Sequence, residues 1–273
     1  MGLPRARSSK VTAKAAGIRA VEPSPLLDSE RAAARARIEE TIQSEQITTL
    51  LQPIVEMRGS RKVVGVEALS RFPSTPLRPP NEWFAEAADV GLGEELELLA
   101  MRKALSYLDD LPANVYLSVN VSPATVVNAS LGIIFWGTNW SRIVLEITEH
   151  APVENYKTLN DALSPLRKAG ARLAVDDAGA RYASLKHIVS VAPDVIKLDM
   201  EMSRNVVSDR GSRAMVAALV SFARESGSLV VAEGIETYEQ IDALRDLGVD
   251  YGQGYLIGRP RMLGDPRRKN RSV

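Results

Sequence analysis

Short apolar runs alternate with helical segments from residue 50 onward, and that alternation predicts the fold. The runs are 50–55, 63–69, 115–121, 143–147, 172–175, 195–198, 229–232 and 255–257. Most are rich in Val, Ile and Leu with little strict alternation, as expected for parallel strands buried on both faces. Only a short turn around Gly59-Ser60-Arg61 separates the first two, which makes them antiparallel neighbours. Between the runs lie helical patterns. Leu98, Met101 and Leu105 share a face, residues 159–169 are helical despite Pro165, and 214–224 is apolar after a polar lead-in. Thr237 and Gln240 have capping-box spacing ahead of Ile241, Leu244 and Leu247. A further helix starts at Asp28 or Ser29, with Ala34, Ile38 and Ile42 on one face.

Eight strands with interleaved helices in roughly 230 residues predict an α/β fold, a TIM-like (β/α)8 barrel with an irregular, antiparallel first strand. An open doubly wound sheet is the alternative. No glycine-rich phosphate loop supports it, because Gly252-Gln253-Gly254 lacks a third glycine and a following long helix. Residues 1–27 lack periodicity and read as a mobile basic tail, 28–262 as the barrel domain, and 263–273 as a second basic tail.

Charge adds little, since 34 basic residues balance 34 acidic ones, and no DNA binding is expected. The two tails read as solvated, with weak attraction to an anionic membrane or nucleic acid as the alternative. The chain has no cysteine, which excludes disulfides and thiolate chemistry and fits a reducing cytoplasm. No N-terminal apolar stretch suits a signal peptide, and no apolar run reaches about 18 residues, so no transmembrane segment and a cytoplasmic location are expected. With two histidines only, His150 and His187, a metal site would be built from oxygen ligands, pointing to Mg²⁺, Mn²⁺ or Ca²⁺. His150 reads as a hydrogen-bonded loop residue and His187 as structural or exposed on a helix. Trp83, Trp136 and Trp140 read as packing residues, and 73–80 as a rigid proline-rich loop over the barrel mouth.

Candidate chemistry collects at the C-terminal ends of the runs, where a barrel carries its active site. Glu67 ends the second, Asn120 and Ser122 the third, Glu146 and Glu149 the fourth, Asp176-Asp177 the fifth, Lys197 and Asp199 the sixth, and Glu233 and Glu236 the seventh, while Gln253 leads into the eighth. Any one of these could instead cap the helix that follows. Taken together, the carboxylates would repel one another unless they hold cations, and a two-ion clamp suits phosphodiester cleavage.

The ordered motifs Gly65-Val66-Glu67-Ala68-Leu69 with Arg71, Ser118-Val119-Asn120-Val121-Ser122, Glu146-Ile147-Thr148-Glu149, Asp176-Asp177, Ile196-Lys197-Leu198-Asp199, Ala232-Glu233-Gly234-Ile235-Glu236-Thr237 and Gln253-Gly254-Tyr255 resemble the EAL-domain family of cyclic-di-GMP phosphodiesterases. The resemblance runs from Gln52-Pro53 to Arg259-Pro260. It implies a TIM-like barrel, two Mg²⁺ or Mn²⁺ ions, and hydrolysis of cyclic-di-GMP to linear pGpG. By motif position it implies Glu67, Asn120, Glu146 and Asp176 around the first metal, and Asp176, Asp177 and Glu233 around the second. Glu67, Lys197 and Glu233 would be catalytic, with Lys197 holding the attacking water. Gln52, Leu69, Arg71 and Gln253 would bind substrate, Glu149 would support the loop after the aspartates, and Glu236 would back the site from outside. The segment 178–181 departs from the family's pattern: Phe is replaced by Ala178, Thr by Ala180 and Gly by Arg181. Since the metal ligands survive, binding and catalysis are expected; the alternatives are a weak or inactive cyclic-di-GMP receptor signalling through a protein partner, and an interaction module that binds no nucleotide. A homodimer and a regulatory protein partner are left open.

Overall fold

The computed structural model of the chain describes residues 25–73, 76–147, 153, 155–178 and 185–264. Glu149, His150, Ala180, Arg181 and both basic ends, 1–24 and 265–273, lie outside the described residues. Eight strands, β1 (Thr48–Glu56), β2 (Val63–Arg71), β3 (Tyr116–Val121), β4 (Ile143–Ile147), β5 (Arg172–Ala178), β6 (Val195–Leu198), β7 (Leu229–Ala232) and β8 (Tyr251–Gly252), close into a barrel in sequence order. β1 runs antiparallel to both neighbours, β2 and β8, and every other pair is parallel. Pro53 lies within β1, beside a register shift between Ile54 and Val55 that supplies the irregularity.

The strand sequences are apolar on both faces because both faces are covered. Ile54, Tyr116, Val144, Ala174, Val195 and Val231 pack inside the barrel. Leu117, Leu145, Leu173, Ile196 and Val230 point outward into a larger core shared with the surrounding helices. That layer includes α6 (Tyr156–Lys168), α9 (Arg210–Ser226) and α10 (Tyr238–Leu247). Each is stopped or started by its own sequence. Asn155 and Asp209 accept backbone N–H bonds at the starts of α6 and α9, and α10 begins with the Thr237–Gln240 capping box. Pro165 sits inside α6 without ending it, removing one donor while Leu159, Leu163 and Leu166 stay buried.

α1 (Pro25–Gln43) begins ahead of Asp28 and lays Ala34 and Ile38 against Trp83 and Ala87 of α2 (Pro80–Asp89). Arg37 and Arg78 both bond Glu86 there, and together they hold its carboxyl down at about 2. α3 (Gly93–Leu105) packs on two neighbours at once. Leu96 and Leu99 join α1 and α2, Met101 and Ala104 face the barrel, and the expected stripe mates Leu98 and Leu105 are only partly buried. Short helices α4 (Pro123–Asn128), α5 (Leu131–Ile134), α7 (Leu185–Val191) and α8 (Met200–Asn205) complete the shell. Trp83 and Trp140 are buried and Trp136 is exposed. His187 is buried on α7 and shares a hydrogen bond with the Tyr156 hydroxyl.

The eighth strand is not where the apolar run 255–257 places it. β8 is the dipeptide Tyr251–Gly252, and the chain then turns, with Ile257 and Gly258 both donating to the Gly254 carbonyl. A Cβ on Gly254 would lie 2.1 Å from the Ile235 carbonyl oxygen, so the backbone here packs directly on the loop after β7. Two residues carry too little periodicity to read as a strand, and Tyr255, half-exposed, carries none of the barrel wall.

Candidate active site

Strand register builds the site. Antiparallel pairing sets Gln52 opposite Glu67, and parallel pairing sets Glu67 beside Ser118. Asn120 then lies beside Glu146, and Glu146 beside Ala174, with Asp176 two positions further on. Lys197 pairs with Val231, and Glu233 follows two positions later. Because side chains alternate faces along a strand, these positions all point into the C-terminal mouth. Gln253 follows β8 rather than leading into a strand, so it too stands at a strand's C-terminal end.

Lys197 occupies the centre. Its Nζ lies 2.6 Å from Glu233 Oε1, 2.7 Å from Glu146 Oε2, 3.0 Å from Asp176 Oδ1 and 3.7 Å from Glu67 Oε1. Lys197 and Glu146 are 2% and 1% exposed, so this is a charge cluster in low dielectric. Burial, then repulsion from Glu67, Asp176 and Glu233, drives the Glu146 carboxyl well above its ordinary range despite Lys197. Burial and the neighbouring carboxylates likewise push Glu233 up to about 8 against the pull of Lys197. Burial alone would lower Lys197, but Asp176, Glu146, Glu233 and Glu67 more than reverse that and hold it firmly charged.

Amides and a hydroxyl fix the carboxylates. Asn120 Nδ2 donates to Glu67 Oε1 at 3.2 Å, and Gln253 Nε2 donates to Glu67 Oε2 at 2.6 Å and to Gln52 Oε1 at 3.0 Å. Gln52 in turn donates to the Gly258 carbonyl. The Ser118 hydroxyl donates to Glu146 Oε1 at 2.5 Å. Ser118 has no expected role in the motif it belongs to; its place two residues before Asn120, on the same face of β3, is the signal for it.

Asp176 and Asp177 are consecutive, and in an extended strand their side chains would diverge. β5 breaks that rule. Its pairing with β6 shifts register between Val175 and Ala178, and Asp177 takes a left-handed φ of 52°. One carboxylate oxygen from each of Asp176, Asp177 and Glu233 then lies within 4.8 Å of the others. Asp176 Oδ1 is buried and accepts no hydrogen bond despite its charge contact with Lys197, and Gln253 Oε1 is buried without a donor. Negative charge in excess of its one ammonium, an all-oxygen donor set and an unsatisfied carboxylate oxygen fit a divalent cation.

A cleft of about 390 Å³ opens above the cluster. It is lined by Gln52, Leu69, Arg71, Glu236 and Gln253 with the acidic residues, so the expected substrate-binding residues meet in one place. Met200, Arg204 and Tyr255 also line it and were not foreseen; Arg204 bonds Glu236 at 2.5 Å across the rim. Ser122 and Asp199 stand apart from the cluster as caps of α4 and α8, accepting from Thr125 N and Glu201 N. A second cavity of about 360 Å³, apolar and walled by Phe84 and Met101, shares Leu69 and Arg71 with the cleft.

Residues 35–260 match the family model described as the EAL domain. The cyclic di-GMP phosphodiesterase PdeF of Escherichia coli is 30% identical over 241 residues, covering 84% of this chain and 32% of that protein. The chain thus spans about a third of the length of the curated relatives it matches. Among solved structures, the PaMucR phosphodiesterase in complex with c-di-GMP is 26% identical with a TM-score of 0.74, covering 84% of this chain and 97% of that one. Klebsiella pneumoniae BlrP1 with manganese and cyclic-di-GMP is 28% identical with a TM-score of 0.68, covering 88% and 67%.

Proposed function

This chain belongs to the EAL domain family, and on that premise we propose that it is a cytoplasmic, metal-dependent phosphodiesterase that hydrolyses cyclic-di-GMP to linear pGpG. The observation that carries the reading is the convergence of Glu67, Glu146, Asp176 and Glu233 on Lys197 at the barrel mouth. Relatives that bear this domain include named cyclic di-GMP phosphodiesterases, and a relative's structure holds both manganese and the dinucleotide. In this reading 28–262 is the catalytic barrel.

Glu67, Asn120, Glu146 and Asp176 would hold one divalent ion, and Asp176, Asp177 and Glu233 a second, as Mg²⁺ or Mn²⁺. Bound there, the ions would make water a nucleophile near neutral pH and offset charge on the scissile phosphate. The chain's own groups do the rest. Lys197 stays charged among the carboxylates and orients the attacking water by donating to it. Gln253 and Asn120 keep the two oxygens of Glu67 aimed, and Ser118 does so for Glu146. Arg71 and Arg204 on the cleft wall offer positive charge to a dianionic ligand, while Leu69 and the adjoining apolar cavity give room for flat, bulky bases. Glu236 restrains Arg204 from outside the acidic cluster. Every metal-ligand position among the described residues is retained, which favours catalysis over a nucleotide receptor.

Purified protein with Mg²⁺ or Mn²⁺ should convert cyclic-di-GMP to pGpG, followed by liquid chromatography, and Glu67→Ala should abolish the conversion. No turnover by the wild type with either ion would refute the reading; tight binding without turnover would establish the receptor instead.

A further inference from the structure

The closed end of the barrel, opposite the acidic mouth, holds a cavity of about 260 Å³ lined by Asn114, Tyr116, Ser141, Arg142, Arg172 and Tyr251 among others, with no carboxylate in its wall. Arg172 is the first residue of β5 and shares a strand face with Ala174 and Asp176, which turns its side chain into the barrel floor. Arg172 is half-buried, and its guanidinium lies 4.5 Å over the Tyr116 ring. Tyr116 is 7% exposed. Room for its ring is made by Gly65, where a Cβ would sit 2.3 Å from it.

Arg142, in the same wall, also lacks a carboxylate. It clamps the carbonyls of Leu108, Leu111, Pro112 and Val115, and its Nε is buried without a partner. Two guanidinium charges therefore face one cavity whose polar lining is rich in donors. Asp250 and Glu56 lie near Tyr251 but outside the wall, and Asp250 accepts from the Val230 N–H.

A half-buried guanidinium in a wall without a carboxylate leaves its counter-charge to be supplied by an acceptor-rich anion. We propose that this floor cavity is an anion site that takes a phosphate group, held by Arg172 with the Tyr116 hydroxyl and backed by the field of Arg142. The site is separate from the acidic mouth and does not depend on the phosphodiesterase reading.

The test is phosphorus-NMR line broadening of inorganic phosphate, and separately of AMP, titrated into the full chain in EDTA at constant ionic strength. EDTA keeps the mouth free of metal, where a bare carboxylate cluster repels anions. Saturable binding of either probe is expected, with Arg172→Gln weakening it by ~10-fold or more. Binding of inorganic phosphate assigns a free ion; binding of AMP alone assigns the terminal phosphate of a nucleotide. Equal binding by wild type and Arg172→Gln, or no saturable broadening by either probe, overturns the proposal. If Arg172→Gln fails to fold, Arg172→Lys and Tyr116→Phe decide it: the first keeps binding within several-fold and the second weakens it, and the opposite order overturns the site.

Discussion

Asp176 and Asp177 are chain neighbours on one strand, yet an oxygen of each comes within 4.8 Å of the other because Asp177 takes a left-handed φ of 52°. Asn and Asp tolerate that conformation better than other non-glycine residues. Asp177→Asn should therefore keep stability within ~0.5 kcal/mol while weakening Mn²⁺ binding by ~10-fold or more. Asp177→Ala should lose the same affinity and a further ~1 kcal/mol from backbone strain. Calorimetric Mn²⁺ titration and urea unfolding of both variants separate charge from backbone. Equal Mn²⁺ affinity in Asp177→Asn and wild type would remove Asp177 from the ligand set.

Lys197 is the sole described cation in contact with four carboxylates. Lys197→Met leaves them uncompensated, so the metal-free protein should lose roughly 3–5 kcal/mol of stability. Saturating Mn²⁺ should then stabilise the variant more than the wild type, because cation binding relieves the larger repulsion. Unfolding in EDTA and in Mn²⁺ reads both effects. Hydrolysis of cyclic-di-GMP should fall ~100-fold or more even with metal restored.

Gln253 donates one amide nitrogen to Glu67 and Gln52 in a buried setting. Gln253→Ala should cost ~1–3 kcal/mol, since both acceptors are left buried without that donor. Turnover should drop ~10–100-fold through the misaimed Glu67 carboxylate. Unchanged kcat with lowered stability would confine Gln253 to a packing role.

Gly254 carries the close approach of two loops. Its substitution by Ala would put a Cβ 2.1 Å from backbone, which no side-chain rotation relieves. Gly254→Ala should destabilise by ~3 kcal/mol or more and shift Gln253 with it, so thermal unfolding and activity fall together. A variant as stable as wild type would show that the loop after β8 moves freely.

Glu86 ties α1 and Arg78, just ahead of α2, to α2 through its bonds with Arg78 and Arg37, and its folded-state carboxyl titrates at about 2 against an ordinary 4.5. A depressed carboxyl stabilises the fold above its unfolded value, and that contribution disappears as pH falls through the folded value. Allowing for solvent screening of a rim pair, the effect is ~1–2 kcal/mol. Urea unfolding of wild type should weaken between about pH 5 and pH 2, and Glu86→Gln should show a correspondingly smaller slope. Identical slopes would show the pair to be energetically silent.

Much of this was legible in the chain. Glu67, Glu146, Lys197 and Glu233 each lie within two residues of the end of an apolar run, and the capping box at Thr237 marks the start of its helix. Illegible parts share a cause. β8 is two residues long, too short for any periodicity. The stripe on α3 divides between two cores, which no single helical face can express.

The sequence by itself determined a run of β/α units, an antiparallel first pair and a polar residue at most strand ends, because burial on two faces and short turns leave those marks locally. Only the tertiary structure decided which polar residue at each end looks inward. Lys197 enters the mouth and Asp199 caps a helix; Asn120 enters and Ser122 caps. The choice depends on the register of each strand against its neighbours around a closed barrel, a relation between distant segments that a side-chain period of two cannot supply alone. The left-handed turn at Asp177, which gathers two adjacent carboxylates, belongs to the same register shift.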